Sequence, residues 1–309
     1  MSSLNLTDLN ATLGEYCRSN KENLLQDILV DNVSFQHMTP MAGVKDEEPI
    51  LDLDMGDLIK PYSKTWNPLV DQINPNPRIM KVRTLKVEVE LEPLKYEKTY
   101  LGHFMKEGTS VENLPFEKFL MDKIAQKAKE QVETKGVFKG VYNSVGTTPA
   151  STMDGLNKIV ADEITASNIT PLVTGVITES NAVEALEDLF ETVPEEWRLA
   201  PFKMFVSPQI KHWYNKDYRT KYGSVSHNSE FDKKFIEGTN CEIVASPGLN
   251  GSQRLHLTPA WNVFWGTDLV TDMGSISVER NHWTLDIMMS FKVGVQIGAL
   301  KYYWVNDQA

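Results

Sequence analysis

Six prolines fall within one forty-residue stretch, at Pro40, Pro49, Pro61, Pro68, Pro75 and Pro77. Each removes a backbone donor and fixes φ, so neither a long helix nor a central strand fits there. The same stretch holds the acidic run KDEEPILDLDMGD (45–57), which has no helical period. A structureless stretch of this length is uncommon inside a compact domain and marks function or attachment to something else. It reads as an extended arm. Ile50, Leu51, Leu53, Leu58, Ile59, Tyr62, Trp66 and Leu69 lie along it without a period that packs them. They are expected to meet a neighbouring subunit, with Ile50, Leu51, Leu53, Leu58, Tyr62 and Trp66 as the assembly residues.

Regular elements flank the arm. The first forty residues read as a tail with one amphipathic helix near 21–30, where Leu24, Leu25, Ile28 and Leu29 share a face. After the arm, TLKVEVELEP (84–93) alternates, with Leu85, Val87, Val89 and Leu91 on one side. YEKTYLGHF (96–104) is its expected partner. PFEKFLMDKIAQKAKEQVETKG (115–136) is a helix with Pro115 at its start and Gly136 at its end. Its apolar stripe is Phe116, Phe119, Leu120, Ile124, Ala128 and Val132, opposite Lys118, Asp122, Lys123, Lys127 and Glu130. A second helix is expected after Ser151, capped by that serine with Asp154 at the third position. A third runs over 180–193. KMFVSP (203–208) is a short buried strand, and Ser207 and Pro208 open a fourth helix that Gly223 ends. The remainder is β-rich: CEIVASP, RLHLTP, NVFWGTD and WTLDIMMSFKVGVQIG (283–298) are strands separated by Pro, Gly and Asn turns.

Little in the chain carries chemistry. FKGVYNSVGTTPASTMDGLN (138–157) puts Gly146, Thr147, Thr148 and Ser151 ahead of a helix, where an anion could sit. It lacks the lysine of a phosphate loop, and Pro149 removes one N–H from the cradle. Gly146 and Pro149 therefore read as a hinge between domains. Asp52, Asp54 and Asp57 lack the frame of a calcium loop and read as a solvated acidic loop. HWYNKDYRTKYG (212–223) interleaves bases and aromatics as a single-strand clamp would, but reads better as half-buried aromatics under a basic face. The six histidines show no paired spacing, and no nucleophile elbow occurs. No catalytic residue, cofactor or metal site is assigned. Cys17 and Cys241 suit a reducing cytoplasm and imply no disulfide framework. No run of ~18–20 apolar residues for a membrane span and no signal-peptide pattern is present. A net charge of −11 disfavours general nucleic-acid binding.

The order of elements is tail, proline-rich arm, strand pair, long helix, hinge, mixed α/β region and a final long strand. It resembles the tailed-bacteriophage major capsid protein of the Hong Kong 97-type fold. The segments that carry the likeness are PFEKFLMDKIAQKAKEQVETKGVFKGVYNSVGTT followed by MDGLNKIVADEI, then NITPLVTGVITESNAVEALEDLFETVPEEWR, KMFVSPQIKHWYNKDYRTKYG and NCEIVASPGLNGSQRLHLTPAWNVFWGTD. Together they are similar to head proteins of Bacteroidetes phages, including the crAss-like group. The resemblance implies an α+β fold with an N-terminal arm (1–40), an extended loop (41–82), a peripheral domain (83–143 and 270–309) with a spine helix (115–135), and an axial domain (144–269). Phe116, Phe119, Leu120 and Ile124 are then the core of the spine helix. It further implies a non-enzymatic chain that builds hexamers and pentamers of an icosahedral shell around double-stranded DNA. The shell is assembled in the host cytoplasm and carried in the virion, with scaffold, portal and decoration proteins as partners. DNA is touched non-specifically at most, and no membrane is involved. No scaffolding segment precedes the arm, so a separate scaffold protein is expected. The alternatives are an encapsulin-like cellular shell and a nucleotide- or phosphate-binding hydrolase built on residues 144–151.

Overall fold

The computed structural model describes residues 6–29, 31–55, 59–66, 73–92, 116–223, 234–268 and 274–308. The alternating run forms β6 (Arg83–Leu91), which pairs antiparallel with β12 (Thr284–Ile297), Leu85 opposite Phe291 and Leu91 opposite Leu285. Its expected partner at 96–104 lies outside the described residues. β12 is the middle of the larger sheet. β11 (Gly274–Asn281) runs along its other edge, β10 (Val263–Thr267) pairs with its last residues, and β1 (Thr39–Ala42) lies parallel to β10. Strand periodicity turns Leu285, Ile287, Met289, Phe291 and Val293 to one side, where all are buried.

Two helices cover that side. The N-terminal segment is not a tail: α1 (Leu6–Leu29) puts Leu13, Cys17, Leu24, Leu25, Ile28 and Leu29 into the main core. It packs on α2 (Phe116–Gln131) and on β11. The buried stripe of α2 is Met121, Ala125 and Ala128, continued by Val132, while Phe119, Leu120 and Ile124 are only half-buried. The inward direction is thus turned slightly from the one the large residues suggest. The two alanines let α1 approach closely, and that contact decides which side faces in.

α2 does not end at Gly136 in regular form. Val132–Gly136 is a π-turn, after which the chain doubles back. Ser151 does not cap the next helix: α3 (Leu156–Thr165) begins after Gly155. The Ser151 hydroxyl donates to Thr148 O at 2.7 Å, and Asp154 accepts from Tyr142 N. The start is fixed by close approach. A Cβ on Gly155 would sit 2.6 Å from the Phe138 carbonyl and 2.7 Å from Gly136 O.

A second core lies around a four-stranded sheet in the order β13 (Trp304–Val305), β9 (His256–Pro259), β7 (Phe202–Val206), β8 (Cys241–Ala245). Helices α4 (Ala182–Glu191) and α5 (Pro208–Tyr222) cover it, burying Val183, Leu186, Leu189, Ile210 and Tyr214. Ser207 caps α5 by accepting from Ile210 N at 3.2 Å, and Gly223 ends it at φ +70°.

The arm is not structureless. β2 (Glu47–Ile50) pairs with β5 (Arg78–Lys81), and β3 (Leu53–Met55) with β4 (Ile73–Pro75), both antiparallel. Two successive ladders make a long, narrow hairpin. The prolines fit because each strand is paired on one edge only: Pro49 stands opposite Ile79 and Pro75 opposite Leu53. Among the described residues no helix is long and apolar enough to cross a membrane.

Candidate functional site

The base of the hairpin is anchored, whereas the described residues 59–66 beyond it are all exposed. At the base, Ile50 joins Val44, Met80 and Val82 in a small buried cluster, with Met41 and Phe264 against it. Ile50 therefore belongs to the chain's own packing, contrary to its reading as a displayed residue, because the β2–β5 register turns it inward. Arg78 ties this base to the rest of the molecule. Its Nε donates to Ile297 O at 2.9 Å, Nη1 to Glu163 Oε1 at 2.8 Å and Nη2 to Gln296 Oε1 at 3.2 Å. Burial alone would raise the Glu163 pKa. Hydrogen bonds from Asn168 and Arg78, with the charge of the guanidinium, more than offset that and hold it below the usual carboxylate range.

Beyond the base, Leu51 and residues 59–66 turn to solvent. Leu51 is 74% exposed, Ile59 97%, Tyr62 91% and Trp66 88%. Leu53 lies in β3; Leu58 falls outside the described residues. Lone exposed apolar residues need no explanation, but two aromatics and an isoleucine within eight residues, all nearly bare, form a surface waiting to be covered.

The loop holding Gly146 and Pro149 is exposed throughout 141–149. Several of its amides are engaged: Tyr142 N donates to Asp154 Oδ1, Asn143 N to Ser151 O, Val145 N to Asn143 Oδ1 and Gly146 N to Asn143 O. Of the amides expected to cradle an anion, those of Gly146 and Ser151 are taken by Asn143 O and Thr148 O. Gly146 is needed for closeness, since a Cβ there would come within 2.3 Å of Ser151 Oγ.

The basic–aromatic helix is likewise committed internally. Tyr214 is fully buried. Asp217, 3% exposed, accepts from Val183 N at 3.0 Å at the first turn of α4 and from Lys221 Nζ at 3.0 Å. Lys216 pairs with Glu179 at 2.5 Å, and the Tyr218 hydroxyl donates to Glu237 at 2.9 Å. A single-strand clamp needs those groups free. Among the described residues no three His, Cys, Asp or Glu side chains are arranged to hold a metal ion.

Sequence reasoning missed the junction between the two cores. Glu133, in the π-turn, is 5% exposed, and its Oε1 accepts from Ser34 Oγ at 2.5 Å and Ser246 Oγ at 3.1 Å. Three distant segments thus meet on one carboxylate. In a regular helix Glu133 belongs with the polar side; the extra residue of a π-turn shifts the phase and carries it inward.

No protein-family model matches the sequence, and no curated protein does. Solved structures do. A chain of the satellite phage P4 procapsid including size determination (Sid) protein is similar with a TM-score of 0.65 at 10% identity, over 93% of this chain and 90% of that one. A chain of Gordonia phage Cozz gives 0.54 at 10% identity, over 88% and 84%. A chain of Microbacterium phage Oxtober96 gives 0.51 at 12% identity, over 89% and 90%. The chain thus has a mixed helix-and-sheet fold that is found in phage particles, the P4 procapsid among them. The likeness runs nearly end to end.

Proposed function

We propose that this chain is the major capsid protein of a tailed phage, a non-enzymatic subunit that self-assembles into the shell of the virion. The observation that carries this reading is the near full-length fold similarity to a procapsid chain, taken with an arm whose described residues 59–66 are all exposed. Identical subunits with complementary patches form closed symmetric assemblies, and a hairpin anchored at its base and bare at its tip suits such a patch. The subdivision we propose follows the Hong Kong 97-type fold. Residues 1–40 take the place of the N-terminal arm, here packed as α1 on the main core, with 41–82 the extended loop, 83–143 with 270–309 the peripheral domain around spine helix 115–135, and 144–269 the axial domain. Two hydrophobic clusters are present, but the larger one takes Met153, Leu156, Phe205, Val244 and Trp265 from the proposed axial range, so the division is one of chain path and not of separate cores. Residues 144–151, with Gly146 and Pro149, are then the crossing between domains. Scaffold, portal and decoration proteins are the partners this role calls for.

Negative-stain microscopy of the purified full chain, alone and co-expressed with the scaffold from its own genome, is the direct test. Closed shells are the expected result. A strictly monomeric sedimentation profile under both conditions would overturn the reading. An encapsulin-like shell is the alternative; empty shells that form without any scaffold and never enclose DNA in the native host would favour it.

A further inference from the structure

We propose that the buried guanidinium of Arg254 forms a seat for a small free oxyanion of the phosphate class, where residues 252–256 run beside 303–307; this does not depend on the shell reading. Arg254 is 7% exposed, and its Nη1 has no hydrogen-bond partner among the described residues. Strand alternation sets its direction. Leu255 and Leu257 turn into the second core, so Arg254 lies on the other side with His256, whose ring meets Asn157 and Tyr303. The neighbouring polar groups are committed to one another. Asn306 Oδ1 accepts from Leu255 N at 2.8 Å, and its Nδ2 donates to Gln253 O at 2.9 Å and to Thr174 Oγ1 at 3.3 Å. The Gln253 amide exchanges two hydrogen bonds with the Ile177 backbone. Asp307, whose charge acts on Arg254, is exposed and accepts from Thr174 N at 3.0 Å and from Thr174 Oγ1 at 3.3 Å. Ser252, also buried, accepts from Arg254 N at 3.1 Å and keeps a hydroxyl proton to donate.

A guanidinium does not shed its charge at any ordinary pH. Buried without an acceptor it destabilises the fold, because nothing replaces the hydration it has lost. Burial lowers the Arg254 pKa, and the Tyr303 and Asp307 contributions that raise it are smaller. Neither of those groups neutralises the charge. Burial, set against the Arg254 charge, raises the Tyr303 pKa, so the phenol stays neutral and donates to His256. The Asp307 carboxylate is screened by solvent and offsets little. An oxyanion supplies both missing parts: negative charge, and two acceptor atoms that match the guanidinium fork. A water molecule supplies an acceptor without the charge. Depth selects for size. A site this closed excludes a peptide segment or a nucleic-acid backbone and leaves a small free ion such as inorganic phosphate.

The full chain and its Arg254→Met variant are compared in inorganic phosphate and in sodium chloride at matched ionic strength. Equilibrium dialysis with radiolabelled phosphate should show one saturable site per chain in wild type and none in Arg254→Met. Thermal unfolding gives a second readout. Saturating phosphate should raise the wild-type melting temperature by about 2 °C or more beyond its effect on Arg254→Met, which reports general salting alone. Without phosphate, Arg254→Met should melt at or above wild type, because methionine fills the space and the buried charge is gone. A wild-type chain with no saturable site overturns the proposal whatever the variant does, and so does a variant that keeps the site. A variant that melts well below wild type without phosphate would mean that the guanidinium is already satisfied, and would overturn it too. If Arg254→Met does not fold, Arg254→Lys takes its place. It keeps the charge, loses the fork, and should bind phosphate about tenfold more weakly or worse. Equal affinity in that variant would refute the seat.

Discussion

His256 is fully buried between Asn157 and the Tyr303 hydroxyl, at 2.8 and 2.9 Å. With Asn157 Oδ1 as acceptor, Nε2 carries the proton and Tyr303 donates to Nδ1. Burial, with the nearby Arg254 charge, pushes its pKa down to about 3. The unfolded chain binds a proton there below ordinary histidine values while the folded one does not, so acid favours unfolding. Stability should be complete above pH ~6.5 and fall on acidification by up to about 1.4 kcal/mol per pH unit from this group. Chemical denaturation from pH 7 to pH 5 checks it, with His256→Asn expected to be less stable overall but flatter with pH. Glu133 makes a different forecast. Glu133→Ala removes the acceptor shared by Ser34 and Ser246, leaving their hydroxyls only each other at 2.8 Å, and should cost about 1–3 kcal/mol, read as a lowered melting temperature. An unchanged melting curve would mean the carboxylate holds nothing together.

At the level of elements, Met121 on α2 faces the centre of the main core with no exposed surface. Met121→Asp buries an unpaired carboxylate at several kcal/mol against a total stability of ~5–15, so soluble, cooperatively melting protein should not be recovered. Arg78→Ala should act locally. Exchange of the amides of β2 and β5 should quicken as the hairpin base loosens, while the melting temperature moves little, because the two hydrophobic clusters remain intact. Rapid exchange spreading into β12 would mean that Arg78 supports the whole sheet. The contrast between these helices and the hairpin explains what was legible in the sequence. Helices with strong signals came through: α5 begins at the serine cap and ends at the glycine that mark it, and β12 follows its alternation. Ser151 misled because cap chemistry is local, whereas Gly155 answers to the backbone of residues 136–138. The arm's ladders were hidden because a strand paired on one edge leaves no two-sided pattern. Arg78 and Glu133 carry no local mark at all, since their partners lie 85–219 and 99–113 residues away.

For the whole molecule, the cores and the hairpin are separable in a way that can be tested. Replacing residues 51–76 with a short Gly/Ser linker keeps Ile50 and Arg78 and removes only what lies beyond the anchored base. The monomer should stay folded with a near-wild-type melting curve, and shells should fail to form or come apart at modest salt. Stable shells from this variant would refute the arm as an assembly element; an unfolded monomer would make it part of the fold. The position of β12 has a consequence for how such a chain is made. Its neighbours β6 and β11 lie on both sides, yet it spans residues 284–297. On the ribosome β6 must wait for roughly two hundred further residues, on the order of ten to forty seconds at ~5–20 residues per second. The arm emerges early, but the sheet that anchors its base closes only as synthesis ends. A nascent chain therefore completes its main sheet only when it is nearly whole, and products truncated before residue 284 lack the strand on which β6, β10 and β11 pair.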